Sequence, residues 1–167
     1  MKKNITLIGM PGVGKSTIGV ILAKILCYQF IDSDLLIQKN ENKLLIDIIK
    51  EKGIDKFIEI ENRVNASIET DYSIISTGGS VIYCNEAMKH LSNIGTVIYL
   101  KLDYLNLKTR LGNIKYRGVV MREGYDLKML YDERTPLYEK YADIIIDTTA
   151  LDIEKTIAAI TKELALQ

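Results

Sequence analysis

Gly9-Met10-Pro11-Gly12-Val13-Gly14-Lys15-Ser16 follows directly on the short β-prone run Asn4 to Ile8. The eight residues fit the spacing G-x-x-x-x-G-K-[ST], which average composition produces by chance in well under about 1% of chains of this length. Ser16 to Leu26 comes next, with Ile18, Ile21, Leu22 and Ile25 at helical spacing. A strand, a glycine loop and a helix in that order form a phosphate cradle. Gly9, Gly12 and Gly14 let backbone N–H groups turn inward around phosphate oxygens. The helix that follows aims the positive end of its dipole at the same anion. Lys15 has the reach for β- and γ-phosphates, and the Ser16 hydroxyl is suited to Mg²⁺. The expected ligands are therefore ATP and Mg²⁺. Gly12, Val13, Gly14, Lys15, Ser16 and Thr17 are the nucleotide-binding residues.

Working outward, Tyr28 to Ile31 is a short apolar run stopped by Asp32. Leu35 to Lys52 reads as helix, broken near Asn40 and Asn42, and Gly53 to Glu69 as a further helix with Phe57, Ile60, Val64 and Ile68 on one face. Ser73 to Ser76, Thr96 to Leu100 and Asp143 to Asp147 read as strands. Asn85 to Ser92, Asp103 to Leu111 (Asp103 as N-cap), Asp126 to Tyr141 and Asp152 to Leu166 read as helices. Pro136 should mark a turn or kink. Gly112 to Gly124 has no period and reads as a mobile surface segment. Strands alternate with helices, and the strands are continuously apolar. That predicts an α/β layered domain whose parallel sheet is covered on both faces.

The 167 residues fit one domain, 1–167, and 47% apolar content is enough for a continuous core. Twenty-two basic residues balance twenty-two acidic ones, which argues against a broad grip on nucleic acid. No apolar run is long enough to cross a bilayer, and the N-terminus lacks a signal-peptide pattern. The expectation is a cytoplasmic protein without membrane or nucleic-acid partners. Cys27 and Cys84 fit no metal spacing and read as reduced apolar-type residues; His90 reads as ordinary surface.

Three further stretches carry chemistry. Phe30-Ile31-Asp32-Ser33-Asp34 puts two carboxylates at the end of the second strand, beside the glycine loop. One can hold Mg²⁺; the other can accept a hydrogen bond from a substrate hydroxyl and assist its deprotonation. Ser76-Thr77-Gly78-Gly79-Ser80 ends the third strand at the same edge, where glycine allows a ligand close to the backbone. Tyr116 to Arg122 supplies Arg117, a candidate to close over the transferring phosphoryl group.

Taken with Tyr131-Asp132-Glu133-Arg134-Thr135-Pro136-Leu137-Tyr138-Glu139-Lys140-Tyr141-Ala142-Asp143, the order and spacing of these stretches resemble the shikimate kinase family over essentially the whole chain. The resemblance implies a three-layer P-loop kinase like the nucleoside monophosphate kinases. It implies a five-stranded parallel sheet flanked by helices, substrate-binding helices about 33–62 and a mobile lid about 112–124. It implies MgATP-dependent phosphorylation of the shikimate 3-hydroxyl, a step of aromatic amino acid biosynthesis, by a monomer. By position, Lys15, Asp34 and Arg117 resemble the catalytic residues and Ser16 and Asp32 the Mg²⁺-linked pair. Gly78, Gly79 and Ser80 stand at the substrate-facing turn, Arg134 at a ligand of the substrate carboxylate, and Arg110, with Arg117, at the nucleotide.

This sequence departs from that pattern at identifiable places. The usual G-E-x-x-F-R-x-x-E appears as Gly53-Ile54-Asp55-Lys56-Phe57-Ile58-Glu59-Ile60-Glu61. Ile58 thus stands in the substrate-binding set where an arginine normally shares the carboxylate. Ser80 replaces a third glycine, and Gly118 replaces a proline after Arg117. The phosphoryl-transfer half is therefore expected intact and the acceptor pocket altered. Two other readings stay open: a kinase for a related hydroxylated small molecule, and a nucleotide-binding protein without catalysis.

Overall fold

The computed structural model describes residues 3–112 and 119–166. Five parallel strands form one sheet: β1 (Asn4–Ile8), β2 (Gln29–Asp32), β3 (Ser73–Ser76), β4 (Gly95–Lys101) and β5 (Ile144–Asp147). Their order across the sheet is β2-β3-β1-β4-β5. Register is set by pairs such as Thr6 with Ile75 and Thr6 with Val97. Helices α1 (Lys15–Leu26), α2 (Ser33–Glu41), α3 (Leu45–Ala66), α4 (Asn85–Ile94), α5 (Tyr104–Leu111), α6 (Leu127–Tyr141) and α7 (Ile153–Ala165) flank it. This is the P-loop kinase architecture that the sequence implied.

The central strands β1 and β3 are buried along their whole length, because helices cover both faces. Leu7, Ile8, Ile74, Ile75, Val97, Ile98 and Leu100 have no exposed surface and form the middle of the core. Burying each such side chain contributes about 1.5–3 kcal/mol. A second cluster, Ile37, Ile48, Phe57, Ile60, Val64 and Val120, ties α2 and α3 together beside the sheet. Polar caps fix helix starts: Asp32 accepts from the N–H groups of Asp34 and Leu35, and Asp103 from those of Leu105 and Asn106. The N-cap expected at Asp103 is therefore present.

Some expectations need correction. The break near Asn42 is real, since Asn42 caps α2 in the left-handed region. The boundary expected at Gly53 is present too: its backbone (φ 80°, ψ 169°) is non-helical and divides α3 into two helical halves across a kink. Ile48, Phe57 and Ile60 on either side pack into one cluster, which holds the two halves together. Pro136 lies inside α6 and marks no turn. The edge strand β5 alternates buried and exposed residues, so only one of its faces is covered. His90 is half-buried, its Nε2 2.7 Å from the Ile68 carbonyl oxygen. Cys27 is exposed and Cys84 buried, both free. No helix among the described residues is long and apolar enough to cross a membrane.

Candidate active site

β2, β3 and β1 are neighbours in the sheet, so their C-terminal ends deliver three distant stretches to one edge. The Ser16 Oγ donates to Asp32 Oδ2 at 3.0 Å and lies 3.2 Å from Ser76 Oγ. Above this edge opens a cavity of about 410 Å³, lined by Gly12, Gly14 to Thr17, Asp34, Phe57, Thr77 to Ser80, Val119, Val120 and Arg134. Its size suits a small molecule. A second cavity, about 580 Å³, shares Gly14 and Thr17 with the first and continues past Val13, Arg110, Thr148 and Ile153. The Arg110 Nη1 donates to the Val13 carbonyl at 3.4 Å. The glycine loop thus sits between two chambers.

The loop is built to take an anion. Gly14 caps α1 with φ 101° and offers no side chain, so N–H groups of the first turn stay open towards the loop. Lys15 is buried, and its Nζ donates to the carbonyls of Gly9 at 2.7 Å and Met10 at 3.0 Å. Burial, with the nearby Arg134 charge, pulls its pKa down to about 8, against the attraction of Asp34 and Asp32. The ammonium thus lacks a close anionic partner, which a phosphate would provide.

Two carboxyl groups face one glycine. A Cβ placed on Gly78 would lie 2.5 Å from Glu61 Oε1 and 2.8 Å from Asp34 Oδ1. Only glycine lets both acids approach the turn. Burial raises the Asp34 pKa to about 6, and the Asp32 charge adds to this against the pull of Lys15. Glu61 has no exposed surface. Ser80 Oγ donates to its Oε2 at 2.6 Å, while its Oε1 has no hydrogen-bond partner among the described residues. Burial pushes the Glu61 pKa up to about 7, and the Ser80 hydrogen bond opposes that rise.

Because folding raises this pKa above its unfolded value, Glu61 binds its proton more tightly in the native state. Its favourable contribution is full below about 4.5 and is lost as pH rises through about 7. Glu61→Gln should therefore stabilise the protein at pH 8 by on the order of 2–3 kcal/mol. The gain should shrink steadily towards pH 4. Urea unfolding of both proteins across that range tests this; a gain independent of pH would refute it.

Arg134 lines the 410 Å³ cavity and is only 1% exposed. Its Nη2 donates to the Val120 carbonyl at 2.5 Å and its Nε to the Tyr83 hydroxyl at 3.3 Å. The guanidinium lies 5.3 Å from the Tyr83 ring centroid, a cation–π contact. Tyr138, one turn along α6, donates to the Gly79 carbonyl at 2.5 Å and so ties the helix to the turn. Ile58 does not line the 410 Å³ cavity. With Ile54, Tyr83, Val120, Arg122, Glu133 and Arg134 it borders a small adjoining space of about 20 Å³.

Comparison with known proteins agrees with this geometry. The shikimate kinase family model matches residues 11–165. The chain belongs to the shikimate kinase family. It is 39% identical over 150 residues to a shikimate kinase of Clostridium botulinum (strain Okra / Type B1), covering 87% of this chain and 88% of the relative. A shikimate kinase from Acinetobacter baumannii, solved in complex with shikimate, superposes with a TM-score of 0.87 at 27% identity, over 98% of this chain and 93% of the other. The shikimate kinase from Bacteroides thetaiotaomicron gives 0.81 at 26% identity, over 98% of both chains.

Against the shikimate kinase pattern, the structure gathers Gly12, Gly14 to Thr17, Asp34, Gly78, Gly79, Ser80 and Arg134 around one cavity, with Asp32 hydrogen-bonded to Ser16 and with Val13 and Arg110 at the second cavity. Ile58 lies one step removed. Arg117 and Gly118 fall outside the described residues, as does the 113–118 part of the lid expected at about 112–124. The reading of the sequence did not anticipate how Glu61 and Tyr83 contribute. Glu61 belonged to a quoted motif, and its position three residues after Ile58 on a helix was a usable signal. Tyr83 had none.

Proposed function

We propose that this chain transfers the γ-phosphoryl group of ATP to the 3-hydroxyl of shikimate, a step of the shikimate pathway. One observation carries the reading: a single cavity has the Lys15 phosphate cradle, the Asp34 carboxylate and the buried Arg134 on its walls. Arg134 meets the acceptor's carboxylate, and Asp34 accepts the hydrogen bond of the hydroxyl that is phosphorylated. Lys15 and the open end of α1 hold the phosphates. The second cavity, with Arg110 at its wall, takes the rest of the nucleotide. Arg117 is assigned to the transferring phosphoryl group on resemblance.

Ser16 and Asp32 are oxygen donors in mutual contact, the chemistry a small hard cation prefers. They would hold Mg²⁺, which supplies neutralising charge to the phosphates when bound. Balanced charge and a site built from one chain support a monomer that works in the cytoplasm without membrane or nucleic acid.

A second reading rests on Ile54 and Ile58, which place apolar surface beside Arg134. Under it, the acceptor is a related hydroxylated molecule. Steady-state ADP release with MgATP and shikimate, against a blank without acceptor, separates the two. Shikimate-dependent turnover is expected. None above the blank, with ATP binding retained, would favour the second reading.

A further inference from the structure

Arg134 spends part of its donor set on the protein. Planar bidentate pairing uses two N–H groups side by side. Here Nε donates to Tyr83 and one Nη2 N–H to Val120, which takes the Nε side of the fork out of use. Nη1 lies 3.1 Å from where a Gly79 Cβ would stand, at the cavity wall. The residue expected to share the carboxylate is Ile58, which has no charge.

Another guanidinium stands next to the gap. Arg122 borders the small space that Ile58, Ile54, Glu133 and Arg134 also border. That space adjoins the 410 Å³ cavity at Val120 and Arg134, which line both. Two hydrogen bonds set the Arg122 backbone there: Arg134 grips the Val120 carbonyl two residues earlier, and the Tyr125 N–H donates to the Arg122 carbonyl at 3.1 Å. The Arg122 side chain is exposed. Its charge is felt at Glu133, whose carboxyl is held below its usual value by the Tyr83 hydroxyl first, then by Tyr125, Arg122 and Arg134. Glu133 already accepts from Tyr83 at 2.5 Å, so Arg122 is not its sole partner. With an anionic acceptor bound, Arg122, Arg134, Glu133 and the acceptor carboxylate balance. Without Arg122 one negative charge is uncompensated in a half-buried place.

We infer that Arg122 supplies the second positive charge of the acceptor-carboxylate site, in place of the arginine missing at Ile58. The inference rests on shikimate being the acceptor. Arg122 is then a specificity residue of this chain.

Initial-rate kinetics of the wild type, Arg122→Gln and Arg122→Lys with shikimate, and with its methyl ester as the neutral analogue, test it. Arg122→Gln should raise the KM for shikimate roughly ten- to hundredfold, with the KM for ATP nearly unchanged. The preference for the acid over the ester should collapse in Arg122→Gln and largely survive in Arg122→Lys. Unchanged KM for shikimate, or equal shifts for acid and ester, would overturn the role of Arg122 and leave the acceptor assignment standing. No shikimate-dependent turnover in the wild type would overturn both.

Discussion

Lys15→Met should lower kcat by roughly a thousandfold, in line with the loss of a preorganised charge at a reacting phosphoryl group. It should do so in a protein that folds as well as its parent. The reason lies in the unliganded state. Burial, and then the Arg134 charge, depress the Lys15 pKa to about 8, well under its model-peptide value of 10.5. A lysine whose folded pKa is depressed costs stability wherever it is charged, so the cost is full below pH 8 and fades as pH rises towards 10.5. Methionine removes that cost. It also gives up the two hydrogen bonds to the Gly9 and Met10 carbonyls, each worth about 1 kcal/mol or somewhat more when charge-assisted. The terms oppose one another, and the variant should unfold within about 1 kcal/mol of the parent at pH 7. MgATP should raise the melting temperature of the parent and scarcely move that of the variant, because stabilisation by a ligand follows its affinity. A variant that keeps kcat within tenfold, or that loses cooperative unfolding, would show that Lys15 is not the phosphate-facing charge assigned here.

What the sequence disclosed, and what it hid, divides along contiguity. The glycine loop needs only residues 9–16 in a row, and its strand and helix follow from short-range pattern. Asp32, Asp34, Gly78 and Gly79 were legible because they sit at strand ends, and parallel strands bring such ends together. The misreadings arise where tertiary packing overrides a local signal. Gly53 is not among them: its backbone does break α3, although Ile48 and Phe57 pack into the same cluster across it. Glu61 is an acid on an amphipathic helix, which ordinarily faces water. Only α3 packing beneath the Gly78 turn buries it, and its place three residues after Ile58 is the one local signal of that. Arg122 is the extreme case: its place depends on a hydrogen bond from Arg134 to a carbonyl fourteen residues away.

The departures from the family pattern are also spatially related. Ile54 and Ile58 are one turn apart and border the same small space, so the loss of an acid and the loss of a base there belong to one local exchange of charge for apolar contact. Ser80, where a third glycine is usual, donates to Glu61. A buried acid that lost a nearby arginine would need such a donor. The altered wall is thus internally consistent, and it leaves Arg134 as the fixed cation of the acceptor pocket.

Asp34→Asn tests the chemistry of that pocket most directly. Asparagine keeps the size of the side chain and an oxygen able to accept the acceptor's hydroxyl hydrogen bond, but it takes up no proton. If Asp34 removes the proton, kcat should fall roughly 10²- to 10⁴-fold with little change in the KM for shikimate. If it only orients the hydroxyl, KM should rise and kcat should largely survive. The first outcome is expected. Asp34 is pressed against Gly78, where a Cβ would come within 2.8 Å of its Oδ1, so its carboxylate has little room to move. Burial, reinforced by Asp32, holds its pKa at about 6, which makes it a stronger base than an exposed aspartate and still ionised at pH 7.5. The same rise makes the ionised group a cost to the fold above pH 6, so asparagine should make the protein more stable at neutral pH, not less. Loss of turnover together with a higher unfolding midpoint would separate catalysis from folding. It would identify Asp34 as a group kept for its reactivity at the expense of stability.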